Sequence, residues 1–157
     1  MLARCGVSDA ESLDLFTALG TGLTDQQLSN DPDDWSKPTD CPLWDVRAMA
    51  GHNTGMLATF TGYRTLMREM SAATKAAKRS GGPMIDALTA RQVAAHADLS
   101  TPELIAKVDA LGPRASRWRA TRPRLFRSMP MKQEVGGEQE TWRMGYLLDV
   151  ILTRDPW

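Results

Sequence analysis

Cysteine is scarce in this 157-residue chain, with Cys5 and Cys41 as its only two. They lie far apart in unlike surroundings, which excludes the stapled framework of small secreted domains. Net charge is missing as well: 19 basic residues balance 19 acidic ones. No global field therefore draws the chain to nucleic acid or to a membrane surface. No uncharged apolar run is long enough to span a bilayer, and the start lacks a basic segment followed by a hydrophobic one. Internal repeats and low-complexity tracts are absent, and little of the chain alternates as a strand would. These absences leave a cytosolic chain, with no nucleic-acid or membrane partner, long enough to bury one core as one domain.

What is present is helical. Ser8-Asp9-Ala10-Glu11 is a capping box followed by Leu13, Phe16 and Leu19 at helical spacing, and Thr24-Asp25-Gln26-Gln27 is a second start. The stretch 30–42 is rich in Asp, Ser, Thr and Pro, and reads as a loop pinned by Trp35. Asp45 is the expected N-cap of the longest helix, running to Lys78, with Val46, Met49, Ala50, Leu57, Phe60, Tyr63 and Met67 as its apolar stripe. Gly81-Gly82-Pro83 ends it. A third helix is expected from Met84 to His96 through Ile85, Leu88 and Val93. Ser100-Thr101-Pro102-Glu103 opens the next one, which Gly112-Pro113 is placed to kink. Residues 122–137 read as an irregular crossing. A last helix is expected from Glu138, with Trp142, Tyr146, Leu147, Val150 and Ile151 recurring at three and four. The fold class is all-α, a bundle of four main helices.

His52 is the sharpest residue for chemistry. An imidazole two turns inside a long bundle helix can ligate a divalent ion together with side chains of a facing helix. The same position also suits an inert, hydrogen-bonded histidine at the border of the apolar stripe. Asp155 beside Arg154 reads by itself as a surface ion pair, a contribution on the order of 0–1 kcal/mol. Arg114, Arg117, Arg119, Arg122, Arg124 and Arg127, interleaved with Trp118 and Phe126, have three readings. A solvated face leads, a contact with a small anion follows, and single-stranded nucleic acid comes a distant third. Cys41 at the mouth of the His52 helix is placed for a lowered thiol pKa, but no base accompanies it in the sequence, so it reads as structural. His96, in a polar neighbourhood, is expected to be exposed, and the methionines to fill gaps in the core.

Two segments carry a resemblance. The first is Pro38-Thr39-Asp40-Cys41-Pro42-Leu43-Trp44-Asp45-Val46-Arg47, followed by Gly51-His52. The second is Glu140-Thr141-Trp142, then Gly145-Tyr146-Leu147-Leu148-Asp149-Val150-Ile151-Leu152-Thr153-Arg154-Asp155-Pro156-Trp157. In this order and at this distance they resemble the DinB/YfiT-like helical bundles, and within them the mycothiol-dependent maleylpyruvate isomerase group. Leu43, where the group often has Gly, Ala48, where an acidic residue is common, and Asn53, where an apolar one is usual, depart from the pattern.

The resemblance implies a DinB-like four-helix bundle in up-down-down-up order, with a long crossover and short extra helical turns, as a single domain over residues 1–157. It implies a divalent metal, zinc or nickel, on three protein ligands, and mycothiol or a related low-molecular-weight thiol that attacks a small electrophilic substrate. The first ligand falls on His52 and the second on Asp155. The third belongs four positions later, past Trp157, so the C-terminal end is expected to be truncated. A homodimer is expected. The resemblance thus implies an isomerase or thiol transferase. Its rival is a catalytically inactive, degenerate bundle that acts as an interaction or stress-associated protein.

Overall fold

The computed structural model describes residues 32–39, 41–135 and 138–151. The capping boxes at Ser8 and Thr24, and Cys5 and Asp155 with them, lie outside the described residues. A 3-10 turn, Pro32–Ser36, leads in, and Trp35 is buried under the Arg47 guanidinium, 5.7 Å above its ring, which ties the stretch around Trp35 to the first long helix. Six helices follow: α1 (Val46–Thr59), α2 (Tyr63–Ser80), α3 (Met84–Ala94), α4 (Thr101–Ala120), α5 (Arg124–Ser128) and α6 (Met144–Tyr146), the last continuing as a π-helical turn, Leu147–Ile151. Between α5 and α6 stands an antiparallel pair, β1 (Pro130–Val135) and β2 (Glu138–Arg143), in register from Pro130 with Arg143 to Val135 with Glu138. The described residues are mostly helical, as expected, with α1 packed on α3 and α4, and α2 packed on α3.

Start and stop signals account for the helix ends. Asp45, in extended conformation, accepts from the Ala48 amide at 2.7 Å and caps α1. Gly81 ends α2 in the left-handed region at φ 74°, its amide donating to the Ala77 carbonyl at 2.8 Å. Ser100 and Glu103 form a capping box at the head of α4. The Glu103 carboxyl is held below its ordinary value of 4.5, first by the Ser100 hydroxyl, then by the Ser100 amide, with Lys107 adding to the effect and slight desolvation opposing it. A lowered carboxyl stabilises the fold fully above the unfolded pKa and loses that contribution as pH falls through the folded one. An NMR titration should therefore place the Glu103 midpoint below that of an unstructured glutamate, and Ser100→Ala should raise it. An identical midpoint in the two chains would refute this account of the cap.

Two expectations need correction. The helix from Asp45 does not run to Lys78 but breaks at Phe60–Gly62. There the Thr59, Thr61 and Thr65 hydroxyls bond back to the Gly55, Ala58 and Gly62 carbonyls, so β-branched residues and a glycine combine at one place. The break shifts the apolar stripe: Tyr63 and Met67 are exposed, while Leu66, Ala73 and Ala77 face inward. The last helix begins at Met144, not near Glu138, because Glu138–Arg143 pairs as a strand with Pro130–Val135. In α4, Pro113 sits inside the helix without ending it.

The core gathers where α1 ends, α2 begins and α4 ends. Phe60, Leu66, Trp118 and Leu148 are its buried centre, with Met56, Met70, Phe126, Met144 and Leu147 packed around it. Methionine does fill gaps here, as expected of an unbranched, adaptable side chain. Met67 and Met129 are exposed instead.

Candidate functional site

His52 lies on the face of α1 that meets α3, and only 7% of it is exposed. The approach of the two helices is made possible by Gly51 and Gly55, one turn apart. A Cβ on Gly51 would stand 3.5 Å from the His96 Cβ, and one on Gly55 only 2.5 Å from the Gln92 Cβ. Leu88, Gln92 and His96 recur at four along α3 and its C-terminal turn, and all three are buried. The inner face of this segment is thus more polar than the expected Ile85, Leu88 and Val93, of which Ile85 is exposed.

Polar atoms across this contact are connected. His52 Nδ1 and Gln92 Oε1 are 2.9 Å apart. The Gln92 amide nitrogen faces Thr59 Oγ1 at 3.4 Å and Met56 Sδ at 3.3 Å. The Thr59 hydroxyl donates to the Gly55 carbonyl at 2.8 Å. Trp44, from the turn ahead of α1, tilts its ring over the imidazole with centroids 5.0 Å apart. The environment of His52 is therefore enclosed, with hydrogen-bonding groups on one side and an aromatic wall on another.

His96 corrects an expectation: it is buried, not exposed. Helix α3 stops at Ala94, and the amides of Ala95, His96 and Ala97 serve the Arg91, Val93 and Ala94 carbonyls, which leaves the Gln92 carbonyl to a side-chain donor. His96 Nδ1 lies 2.8 Å from the Gln92 carbonyl oxygen and supplies one. Its polar sequence neighbourhood concealed this capping role.

The arginine segment separates by position. Arg114, Arg117 and Arg124 are exposed, in line with a solvated face. Arg119, Arg122 and Arg127 brace the fold: Arg119 donates to the Leu148 carbonyl, Arg122 to the Trp118 carbonyl at 2.6 Å, and Arg127 to the Arg119 carbonyl at 3.3 Å and to the Asp149 carboxylate. Burial draws the Arg119 guanidinium down to about 10, against the pull of Asp149 and helped by Arg127, so it stays charged at neutral pH. Cys41 is a free, half-buried thiol in the turn between Thr39 and Trp44.

An imidazole nitrogen suits zinc or nickel, so the donor chemistry of His52 fits the metal that the resemblance implies. Among the described residues no three His, Cys, Asp or Glu side chains gather as a metal-binding group. Asp155, the expected second ligand, lies outside the described residues. Sequence reasoning missed Gln92 and Thr59. The signal available for them was Gly51 and Gly55 at a spacing of four, which marks a close helix contact, together with a glutamine on the apolar face of the next helix. Among the described residues, no helix is long and apolar enough to cross a membrane.

Compared with known families, residues 11–152 match the model described as the mycothiol maleylpyruvate isomerase N-terminal domain. No curated protein and no solved structure matches the chain.

Proposed function

Because the chain belongs to the family of mycothiol maleylpyruvate isomerase N-terminal domains, we propose that it carries a divalent metal, zinc or nickel, at His52 and uses it in thiol chemistry on a small electrophilic substrate. One observation supports this above the others. His52 is a buried imidazole on the inner face of a helix, held through Nδ1 by a side chain of the facing helix, as ligating histidines commonly are. In this reading Asp155 is the second ligand, through its carboxylate. The four-helix, up-down-down-up order, a homodimer and a cytoplasmic location belong to the same proposal.

A bound divalent ion supplies Lewis acidity that keeps a thiol of the mycothiol kind as its nucleophilic thiolate near neutral pH. The chain's own residues do the rest. His52 contributes a neutral nitrogen donor, so it adds no charge to oppose an anionic thiol. Trp44 covers one side of the ring. Isomerisation and S-transfer are the reaction classes proposed.

Metal content after purification without chelator tests the proposal. The wild-type chain should hold about one ion, as a single zinc-type site does. His52→Ala should lose it, and Asp155→Asn should hold it more weakly, with circular dichroism confirming that both variants fold. If the wild-type and His52→Ala chains are equally metal-free, the catalytic reading is wrong and the inactive bundle takes its place.

A further inference from the structure

The polar chain behind His52 has a direction that can be worked out from its far end. Thr59 has one hydroxyl proton, and it goes to the Gly55 carbonyl, a group that only accepts. Toward Gln92 the same oxygen is therefore an acceptor, so the amide must present its NH2 group there. The Met56 sulfur, a weak acceptor, lies beside that NH2 and agrees with the assignment. The amide oxygen is then the atom that meets His52 Nδ1, and an amide oxygen cannot donate. The proton of that hydrogen bond must belong to Nδ1. In the neutral ring the lone pair consequently resides on Nε2.

The geometry points to Gln92 as a positioning residue, oriented by Thr59, which holds His52 as the Nδ1–H tautomer and presents the Nε2 lone pair to a divalent cation. This rests on the metal-binding role proposed for His52 and says how the chain prepares that ligand before any ion arrives. The alternative tautomer would set a bare Nδ1 lone pair against the Gln92 oxygen. To relieve that contact the amide would have to turn over, placing its oxygen against a Thr59 oxygen whose proton is already used. The backbone of Gln92 cannot easily give way, because its Cα lies 3.1 Å from the position of a Gly55 Cβ. Its carbonyl is also held by His96. A hydrogen bond to the nitrogen remote from a metal fixes ring orientation and raises the basicity of the ligating one, and its loss commonly lowers metal affinity by about 10–100-fold.

The test uses the 15N-labelled, metal-free chain, in which long-range proton–nitrogen correlations read the tautomer directly, followed by titration with Zn2+ alone. We expect His52 to be protonated on Nδ1 in the wild type, and mixed in Gln92→Met, with Zn2+ affinity lower by about 10–100-fold. A merely structural role for Gln92 would not move the tautomer of a chain that still folds. Should Gln92→Met fail to fold, Thr59→Val carries the same test: mixed tautomers support the inference, and a pure Nδ1–H form overturns it. His52 protonated on Nε2 in the wild type also overturns it, as does a folded Gln92→Met with unchanged tautomer and affinity. A wild-type chain that shows the Nδ1–H form yet takes up no Zn2+ refutes the metal-binding proposal instead and leaves the tautomer assignment standing.

Discussion

Trp118→Ala should lower folding stability by about 3–5 kcal/mol, the range for removing a large aromatic side chain from a packed core. Trp118 is the common neighbour of three elements. Its ring centroid is 5.9 Å from Phe60 at the end of α1, 5.4 Å from Tyr63 at the start of α2 and 5.9 Å from Phe126 in α5, in tilted or edge-on geometry. The Arg122 guanidinium lies 4.4 Å from the ring and 4.8 Å from that of Tyr63, so one cation serves two aromatic faces. Truncation to alanine removes all of these contacts and leaves a cavity that Phe60, Leu66 and Leu148 can only partly close. Against a total stability of about 5–15 kcal/mol for a typical domain, that loss is a large fraction. Urea denaturation followed by circular dichroism measures it, and Trp118→Phe should recover more than half. A loss below about 1 kcal/mol would show that the aromatic cluster does not hold the helices together.

The parts of this fold that were legible in the sequence are those whose physics is local. The N-cap at Asp45, the capping box at Ser100 and the stop at Gly81 each depend on a few neighbouring residues, and each stands where its side chains place it. The break at Phe60–Gly62 was harder, because threonines and a glycine are each tolerable inside a helix, and the corner combines their local hydrogen bonds with the packing of Phe60 and Tyr63 on Trp118. The hairpin was hidden for another reason. Most described side chains of β1 and β2 are exposed, so neither strand carries the alternation that burial of one face would impose. Only Gly136-Gly137 between them, a composition favoured in two-residue hairpin connections, gave a hint. Trp142 and Tyr146, read as one helix face, do meet edge-on at 5.4 Å, but across a strand-to-helix junction.

For the candidate site, the sequence singled out His52 but not its surroundings. His52 was marked by its helix and by resemblance, both of which belong to its own segment. Gln92 lies forty positions away, and its pairing with His52 depends on how closely two helices cross. That closeness is written in the absence of side chains at Gly51 and Gly55, a weaker signal than any motif. The rival readings of His52, ligand and satisfied core histidine, also prove less opposed than they looked. In the proposed reading, the same hydrogen bond to Gln92 that satisfies the ring is the one that would prepare it for a metal.

The close crossing has its own consequence for stability. Gly→Ala in the middle of a helix ordinarily stabilises by about 1 kcal/mol, since alanine restricts the unfolded chain and favours the helix. Gly112→Ala in α4 should show that gain, because among the described residues a Cβ there meets nothing within 4 Å. Gly55→Ala in α1 should do the opposite. Its Cβ would fall 2.5 Å from the Gln92 Cβ and 3.1 Å from the Gln92 Cα, contacts that a rotamer change cannot relieve. Helices α1 and α3 must separate, and overpacking of this kind costs about 1–3 kcal/mol, occasionally more. The intrinsic gain offsets about 1 kcal/mol of it, so a net loss of up to about 2 kcal/mol is expected in the same urea titration. Separation also carries Gln92 away from His52, so the folded Gly55→Ala chain should bind Zn2+ more weakly, whereas Gly112→Ala should bind it as the wild type does. Two glycines lost to the same methyl group would then move stability in opposite directions, and only the one at the helix crossing would reach the metal. If both variants are stabilised alike, the helices have room to spare at Gly55, and the tight seat argued for Gln92 does not exist.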